Sequence, residues 1–147
     1  MAFDIGSLGP ALAIGLSAAG SAVGCGIAGM TSHGAMTKTD EGHGKFLGMS
    51  AAPSSQTIYG FVLMILLNGE LQKSPHSSLA IFAIGLFCGF GIMMSAIFQG
   101  KTCSSGILAT TKKPSVFGKC FMAVGIVESF ALFAMIGGIL SMAILPN

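Results

Sequence analysis

The sequence predicts an all-α membrane protein, built from four transmembrane helices that form two copies of one helical hairpin. Composition is the first reason, because 52% of the 147 residues are hydrophobic and only 8% are charged. Soluble domains carry about 25% charged residues, so this composition is typical of a membrane protein. The distribution of charge is the second reason, since it leaves four stretches with at most one charge, each longer than the ~20 residues that a helix needs to cross hydrocarbon.

These four stretches define the predicted helices and divide the chain into two hairpins. They use nearly all of the sequence, so little remains for a soluble catalytic site. The chain also lacks a basic tract that would favour binding to nucleic acid. The predicted helices cover about residues 5–32, 46–69, 77–100 and 118–145, and the predicted hairpins are residues 1–72 and 73–147.

Similarity between the two halves supports a duplication. A shift of 72 positions pairs Ser32 with Ser104, and several other identities follow the same shift. The same shift pairs Gln56 with Glu128. The first hairpin therefore has an amide at the position where the second hairpin has an acid.

Small residues distinguish the first and third helices from the bulkier second and fourth. Gly20 and Gly24 have GxxxG spacing in the first helix, as do Gly85 and Gly89 in the third. Small residues let helix backbones approach closely in lipid. The pattern fits either a pairing of the two helices within one chain or a ring in which each chain has close neighbours on both sides. Glycine on more than one face of the first helix favours the ring, with the second and fourth helices in an outer, lipid-facing layer.

Lysine placement predicts the topology. The connections between the first and second helices and between the third and fourth contain six of the seven lysines, and only Lys73 lies on the other side. By the positive-inside rule both long loops are cytoplasmic and both termini are outside. This bias fits a bacterial plasma membrane, and a vacuolar membrane would give the same bias. The six lysines are Lys38, Lys45, Lys101, Lys112, Lys113 and Lys119.

Glu128 is the only charged residue in the apolar run from Cys120 to Pro146, and it lies near the middle of that run. A carboxylate at the centre of a membrane helix costs roughly 2.5–3.5 kcal/mol on insertion scales. Such a residue therefore predicts an ion or proton pathway. The structural alternative is a buried acid that only bonds to its helix neighbours.

Further polar side chains at membrane depth indicate a binding site around Glu128. Ser55 and Gln56 lie on the second helix, where Tyr59 can share their helical face, and Gln99 lies on the third helix. Three of these four residues have a plain alternative, because the serine can bond back to its own helix, the tyrosine can anchor at the interface and Gln99 can face headgroups.

Pro53 adds a backbone oxygen to this set. It removes one helical hydrogen bond and pushes on the carbonyl of Met49, one turn earlier. The carbonyls of this distorted turn, including that of Ala52, then become candidate ligands. Neutral oxygens around the single charge of Glu128 suit a hard monovalent cation. A proton would need only the acid, so this composition favours sodium over a proton. Tyr59 is expected to donate a hydrogen bond that holds the carboxylate.

Over its full length the chain resembles the proteolipid of V-type rotary ATPases, known as their K or c subunit. The segments that carry the resemblance are SSQTIYGF at 54–61, FQGK at 98–101 and GIVESFALF at 125–133. This family has a duplicated helical hairpin, small-residue first and third helices, and an essential carboxylate in its fourth helix. The resemblance therefore implies the same fold for this chain and assigns the essential carboxylate to Glu128.

Sodium-translocating members of that family resemble the candidate site closely. The comparison implies that Gln56 and Gln99 supply side-chain oxygens to the ion and that Tyr59 locks the carboxylate. Ser55 stands where those members have threonine, and Ser54 where they have glycine. Because a serine hydroxyl can still coordinate a cation, Ser55 stays in the predicted ligand set, with the Ala52 carbonyl before Pro53.

The resemblance also implies a function and partners. Many copies would form a rotor ring in the lipid membrane, and each would carry one Na+ or H+ on Glu128. A stator subunit with an essential arginine would displace the ion, and central-stalk subunits would contact the ring on the cytoplasmic side. The ATP sites would lie on other subunits, so this chain is expected to be a non-catalytic subunit without a cofactor beyond the transported ion.

Two other classes of protein share some of these features. A small four-helix secondary transporter would carry its acid in the first helix and line a substrate cavity with aromatic residues. This chain has its acid in the last helix, no tryptophan and one tyrosine. A structural or pore-forming proteolipid would use the same polar groups for packing alone. The mass of the detergent-solubilised protein distinguishes these hypotheses, because a rotor subunit forms a large ring and a secondary transporter of this kind forms a dimer.

Overall fold

The computed structural model of the protein describes residues 4–146 and is helical almost throughout. Residues 1–3, which begin the first predicted hairpin, and residue 147, which ends the second, lie outside the described residues, and so do the two termini that were predicted to be outside the cell. Four segments of the described chain are long and apolar enough to cross a membrane, so the prediction of an all-α fold with four such helices is confirmed. The helices are α1 (Leu8–Met36), α2 (His43–Ala51), α3 (Ser55–Lys73), α4 (Ser78–Lys112) and α5 (Phe117–Met142). The second predicted helix consists of α2 and α3 together.

The third membrane helix is longer than its apolar run. It continues past residue 100 to Lys112, and the ammonium of Lys101 lies 4.8 Å from the centre of the Phe98 ring. A single lysine does not end a helix, whereas Pro114 restricts the residue before it to extended backbone, and Lys113 has φ −144°. The predicted long loop between the third and fourth helices is therefore wrong in its extent. Lys101 and Lys112 lie in α4 and Lys119 in α5.

The closest helix packing joins α1 to α4. A Cβ added to Gly24 would meet the carbonyl of Ala96, and one added to Gly100 would meet the backbone of Gly24. Gly9 and Gly85 approach each other in the same way near the start of both helices. Glycine thus lets two backbones touch, which replaces hydrophobic burial as a source of helix association in lipid. The glycines at GxxxG spacing serve a pairing within the chain.

A second set of glycines on α1 faces away from this contact. A Cβ added to Gly15, Gly26 or Gly34 would meet no atom within 4 Å. Glycine therefore occupies two faces of α1, one paired with α4 and one open.

The remaining helices lie outside the α1–α4 pair. The segment formed by α2 and α3 packs on α1, and α5 packs on α4. In addition, α3 and α5 contact each other. Large apolar side chains on these outer helices are exposed, as expected of a surface that faces lipid; they include Ile58, Phe61, Phe130 and Phe133. The buried apolar side chains form two clusters, one around Leu63, Leu67, Ile81 and Ile92, the other around Phe46, Met49, Cys103 and Ile107.

Candidate ion-binding site

The second membrane helix is interrupted where the candidate site begins. α2 ends at Ala51, a single 3-10 turn covers Ala52–Ser54, and α3 begins at Ser55. Pro53, at the centre of this turn, has no N–H to continue the helical ladder, and the carbonyl of Met49 accepts instead from the N–H of Ala52. The tightened turn directs Ser55 toward α5.

The Glu128 carboxylate accepts hydrogen bonds from other helices. Its Oε1 lies 2.6 Å from the Ser55 hydroxyl and 2.7 Å from the Tyr59 hydroxyl. Its Oε2 lies 3.5 Å from Nε2 of Gln99, which belongs to α4. The partners of this acid therefore come from α3 and α4.

The two glutamines form a buried chain of amides beside the carboxylate. Gln56 Nε2 donates to Gln99 Oε1 at 2.8 Å, and Gln99 Nε2 donates to the carbonyl of Val124 at 3.2 Å. Both glutamine side chains have 0% exposure, so Gln99 does not face headgroups. In this arrangement Gln99 turns its nitrogen toward Glu128, although an ion ligand needs its oxygen.

Three of the predicted ligand oxygens lie around a fourth, the hydroxyl oxygen of Ser55. Ser55 Oγ lies 3.1 Å from the Ala52 carbonyl oxygen and 3.2 Å from Gln56 Oε1, in addition to its short contact with Glu128. A hydroxyl has one proton, so it donates to one of these oxygens at a time, and the shortest distance is to the carboxylate. Neighbouring Ser54 instead donates back to the carbonyl of Ala51 at 2.7 Å and is exposed.

Two groups at the site were not singled out in the sequence. Ser95 Oγ donates to the carbonyl of Val127 at 2.8 Å, and the carbonyl of Val124 accepts from Gln99. These two bonds join α4 to α5 directly before Glu128 and so hold its helical turn in place. Ser95 lies four residues before Gln99 and thus on the same helical face, a spacing that gives a signal for it. A backbone carbonyl such as that of Val124 has no residue-type signal.

The site contains one negative charge among neutral groups. Within residues 4–146 the salt bridge that the structure contains is Glu70 with Lys73, so Glu128 has no ion-pair partner there. That part of the chain also has no group of three or more His, Cys, Asp or Glu residues placed to hold a metal ion. The arrangement can therefore hold one proton or one monovalent cation with overall neutrality.

The known proteins that the chain resembles are named as subunits of ATP synthases or of an ATPase. The sequence model of the family of ATP synthase C subunits matches twice, over residues 8–67 and 82–141. The chain is 33% identical over 137 residues to the A-type ATP synthase subunit K of Methanocaldococcus jannaschii, a match that covers 92% of the chain and 60% of that protein. It is 30% identical over 122 residues to the V-type sodium ATPase subunit K of Enterococcus hirae, over 82% of the chain and 78% of that protein. The chain thus spans less than two thirds of the length of the first relative.

Proposed function

This chain belongs to the family of ATP synthase C subunits, as a proteolipid of the V- and A-type kind, and we propose that it is a rotor-ring protein that carries sodium ions across the membrane on Glu128. The observation that carries this proposal is the meeting of Ser55, Tyr59 and Gln99 at one carboxylate between α3 and α5. Glu128, on the fourth membrane helix, is thus held in place by side chains of two neighbouring helices, and a carboxylate that binds and releases a cation has to be oriented in this way.

One carboxylate is enough to make the site electrically neutral when a monovalent cation or a proton is bound. A carboxylate facing hydrocarbon is costly unless a proton or a cation neutralises it. One sodium ion or one proton neutralises Glu128, whereas a divalent cation would leave a net positive charge. In its loaded state the protein can then turn through lipid.

The oxygen cluster favours sodium over a proton as cargo. The oxygens of Ala52, Gln56 and Glu128 all lie within 3.2 Å of the Ser55 hydroxyl oxygen. If a sodium ion bound among these oxygens, their contacts with one another would be replaced by contacts with the cation. Gln99 would become a ligand if its amide group rotated by half a turn, because its oxygen would then replace its nitrogen on the side of Glu128. A proton on Glu128 would use none of these neutral oxygens, and the name of the Enterococcus hirae relative refers to sodium.

Release of the ion calls for a positive group from another protein. The sequence contains seven lysines and no arginine, and the Glu128 site has no lysine partner among the described residues. A stator arginine would pair with Glu128, expel the ion into a half-channel and prevent the empty carboxylate from entering lipid. ATP hydrolysis or synthesis would take place on other subunits, with central-stalk subunits as the mechanical link.

The open glycine face of α1 supports assembly into a ring. Gly15 and Gly26 face away from α4, and space around them is free for a close neighbouring helix. A head-to-tail contact with the next copy would bury this face and close a cyclic oligomer. Because Gln56 replaces a second acid, such a ring would carry one carboxylate per four helices, which suits pumping against a steep gradient.

The decisive test is Glu128→Gln in the assembled complex. This change preserves shape and removes the charge, so we expect ATP-driven ion transport to be lost while the purified ring keeps its mass. Ser54→Ala serves as a matched control, because the Ser54 hydroxyl bonds only to its own helix. Coupled transport that persists in Glu128→Gln would refute the carrier role, and a monomer or dimer of the unmodified chain would refute the ring.

A further inference from the structure

A groove lies between α3 and α5, at the end of the bundle where α3 connects to α4. Its volume is about 440 Å³, which suits an organic molecule and exceeds what one ion needs. Its walls come from α3, α5 and the turn that follows α5. The lining residues are Leu66, Gly69, Glu70, Lys73, Ile139, Met142, Ala143 and Leu145.

The groove is lined by apolar side chains together with one loosely paired acid, Glu70, and its partner Lys73. The Glu70 side chain is only 18% exposed, and the nearest cation, Lys73 Nζ, is 3.8 Å away and 74% exposed. That distance exceeds the length of a charge-assisted hydrogen bond, about 2.7–2.9 Å. The hydroxyl of Ser74 donates to Glu70 at 3.3 Å, which is also long. The carboxylate is thus largely withdrawn from water and only loosely paired with Lys73.

This acid lies apart from the Glu128 site. Glu70 follows Tyr59 by 11 residues on α3, a separation of about 16 Å at the helical rise per residue. Both α3 and α5 end beside the groove, at Lys73 and Met142. The groove therefore lies near headgroup depth, whereas Glu128 lies near mid-membrane.

We propose that this groove holds one phospholipid whose headgroup carries both a primary ammonium and a phosphate. The ammonium donates to Glu70, the phosphate pairs with Lys73, and an acyl chain lies along Leu66 and Ile139. The two protein charges are close neighbours, as are the two charges of such a headgroup, so both pairs form together. A trimethylated ammonium has no N–H to donate, and a headgroup with a phosphate alone brings a negative charge toward Glu70.

Gly69 leaves the space that this ligand needs. It lines the groove, and a Cβ added there would meet no atom within 4 Å. A leucine at this position would occupy the groove without changing either charge. Gly137 provides a matched control, because it is equally open, lies on α5 and does not line the groove.

The test is native mass spectrometry of the detergent-solubilised full chain, equilibrated with phosphatidylethanolamine, phosphatidylcholine or phosphatidylglycerol of identical acyl chains. We expect the unmodified protein to retain phosphatidylethanolamine about tenfold better than phosphatidylcholine, which is the ratio expected for one charge-assisted hydrogen bond. Glu70→Gln should abolish this preference, and Gly69→Leu should abolish retention of the lipid. Gly137→Leu should retain it.

Three results would overturn the proposal. These are equal retention of phosphatidylethanolamine and phosphatidylcholine, a preference that survives Glu70→Gln, and retention that survives Gly69→Leu. Lys73→Gln gives a second measurement if Glu70→Gln fails to fold, and unchanged retention in that variant also counts against the site. The ion-carrier function is unaffected by any of these outcomes, because Glu128 is not involved.

Discussion

The hydroxyl of Tyr59 lies 2.7 Å from Oε1 of Glu128 and joins α3 to α5 across 69 positions of the sequence. Ser55, one turn earlier on α3, donates to the same oxygen at 2.6 Å. The other carboxylate oxygen has a longer contact, at 3.5 Å from Gln99. One oxygen of the acid is thus held by two hydroxyls, and the other is more weakly held.

Sodium should protect Glu128 from modification if it is the cargo. Hydrophobic carbodiimides react with a protonated carboxyl, so a bound cation slows the reaction. We expect millimolar sodium chloride to slow labelling of the purified protein near neutral pH, with choline chloride as the control for ionic strength. The labelled residue is identified by peptide mass. A labelling rate that is independent of sodium would instead identify the proton as cargo.

Tyr59→Phe should loosen the site while leaving the fold intact. The change removes the hydroxyl that donates to Glu128 and keeps the ring that packs against the core cluster. A hydrogen bond to a charged group contributes about 1.5–3 kcal/mol, so the sodium concentration for half-maximal protection should rise about tenfold or more. Phe61→Leu, at an exposed position on the same helix, is the control. An unchanged half-maximal concentration would show that Tyr59 does not lock the carboxylate.

Adjacent serines should respond differently to the same substitution. Ser55→Ala removes the hydroxyl that lies among the oxygens of Ala52, Gln56 and Glu128, so sodium protection should weaken about tenfold. Ser54→Ala removes a hydroxyl bonded to its own helix and should change nothing. Ser55→Thr should retain binding. Equal effects of the two alanine substitutions would argue against Ser55 as a ligand.

Substitutions at two glycines of α1 should affect folding of the chain and assembly of the ring separately. Gly24→Leu forces a side chain against the backbone of Ala96 and the ring of Pro53 and should destabilise the chain by about 1–3 kcal/mol or more. At Gly26 an added Cβ meets no atom of its own chain within 4 Å, so in Gly26→Leu the helices should still pack while ring formation decreases. Thermal unfolding measures the first effect, and mass in detergent measures the second. A normal ring from Gly26→Leu would place the intersubunit contact elsewhere.

The extent of α4 shows why charge alone is a poor guide to helix ends. The sequence predicts a third helix that stops near residue 100, because Lys101 ends the uncharged run. The structure continues it to Lys112, because a helix that leaves hydrocarbon keeps its internal hydrogen bonds and ends where Pro114 interferes. Hydropathy measures the span within the membrane, and proline or glycine chemistry decides where the helix ends.

The orientation of the glutamines could not be read from the sequence. Residue type identifies Gln56 and Gln99 as polar groups at membrane depth, and an amide carries both donors and an acceptor. Their burial and their contacts decide that Gln56 donates to Gln99 and that Gln99 donates to Val124. Ser95, which donates to the carbonyl of Val127, was missed because a single serine on a small-residue helix face resembles packing.

The sequence by itself determined that this is a four-helix membrane protein with one costly acid, because hydropathy and the cost of burying a charge act on every residue locally. Only the tertiary structure decided which groups reach Glu128. Contacts across 69 or 73 positions depend on the rotation and relative shift of whole helices, and those are set by packing such as the backbone contact of Gly24 with Gly100.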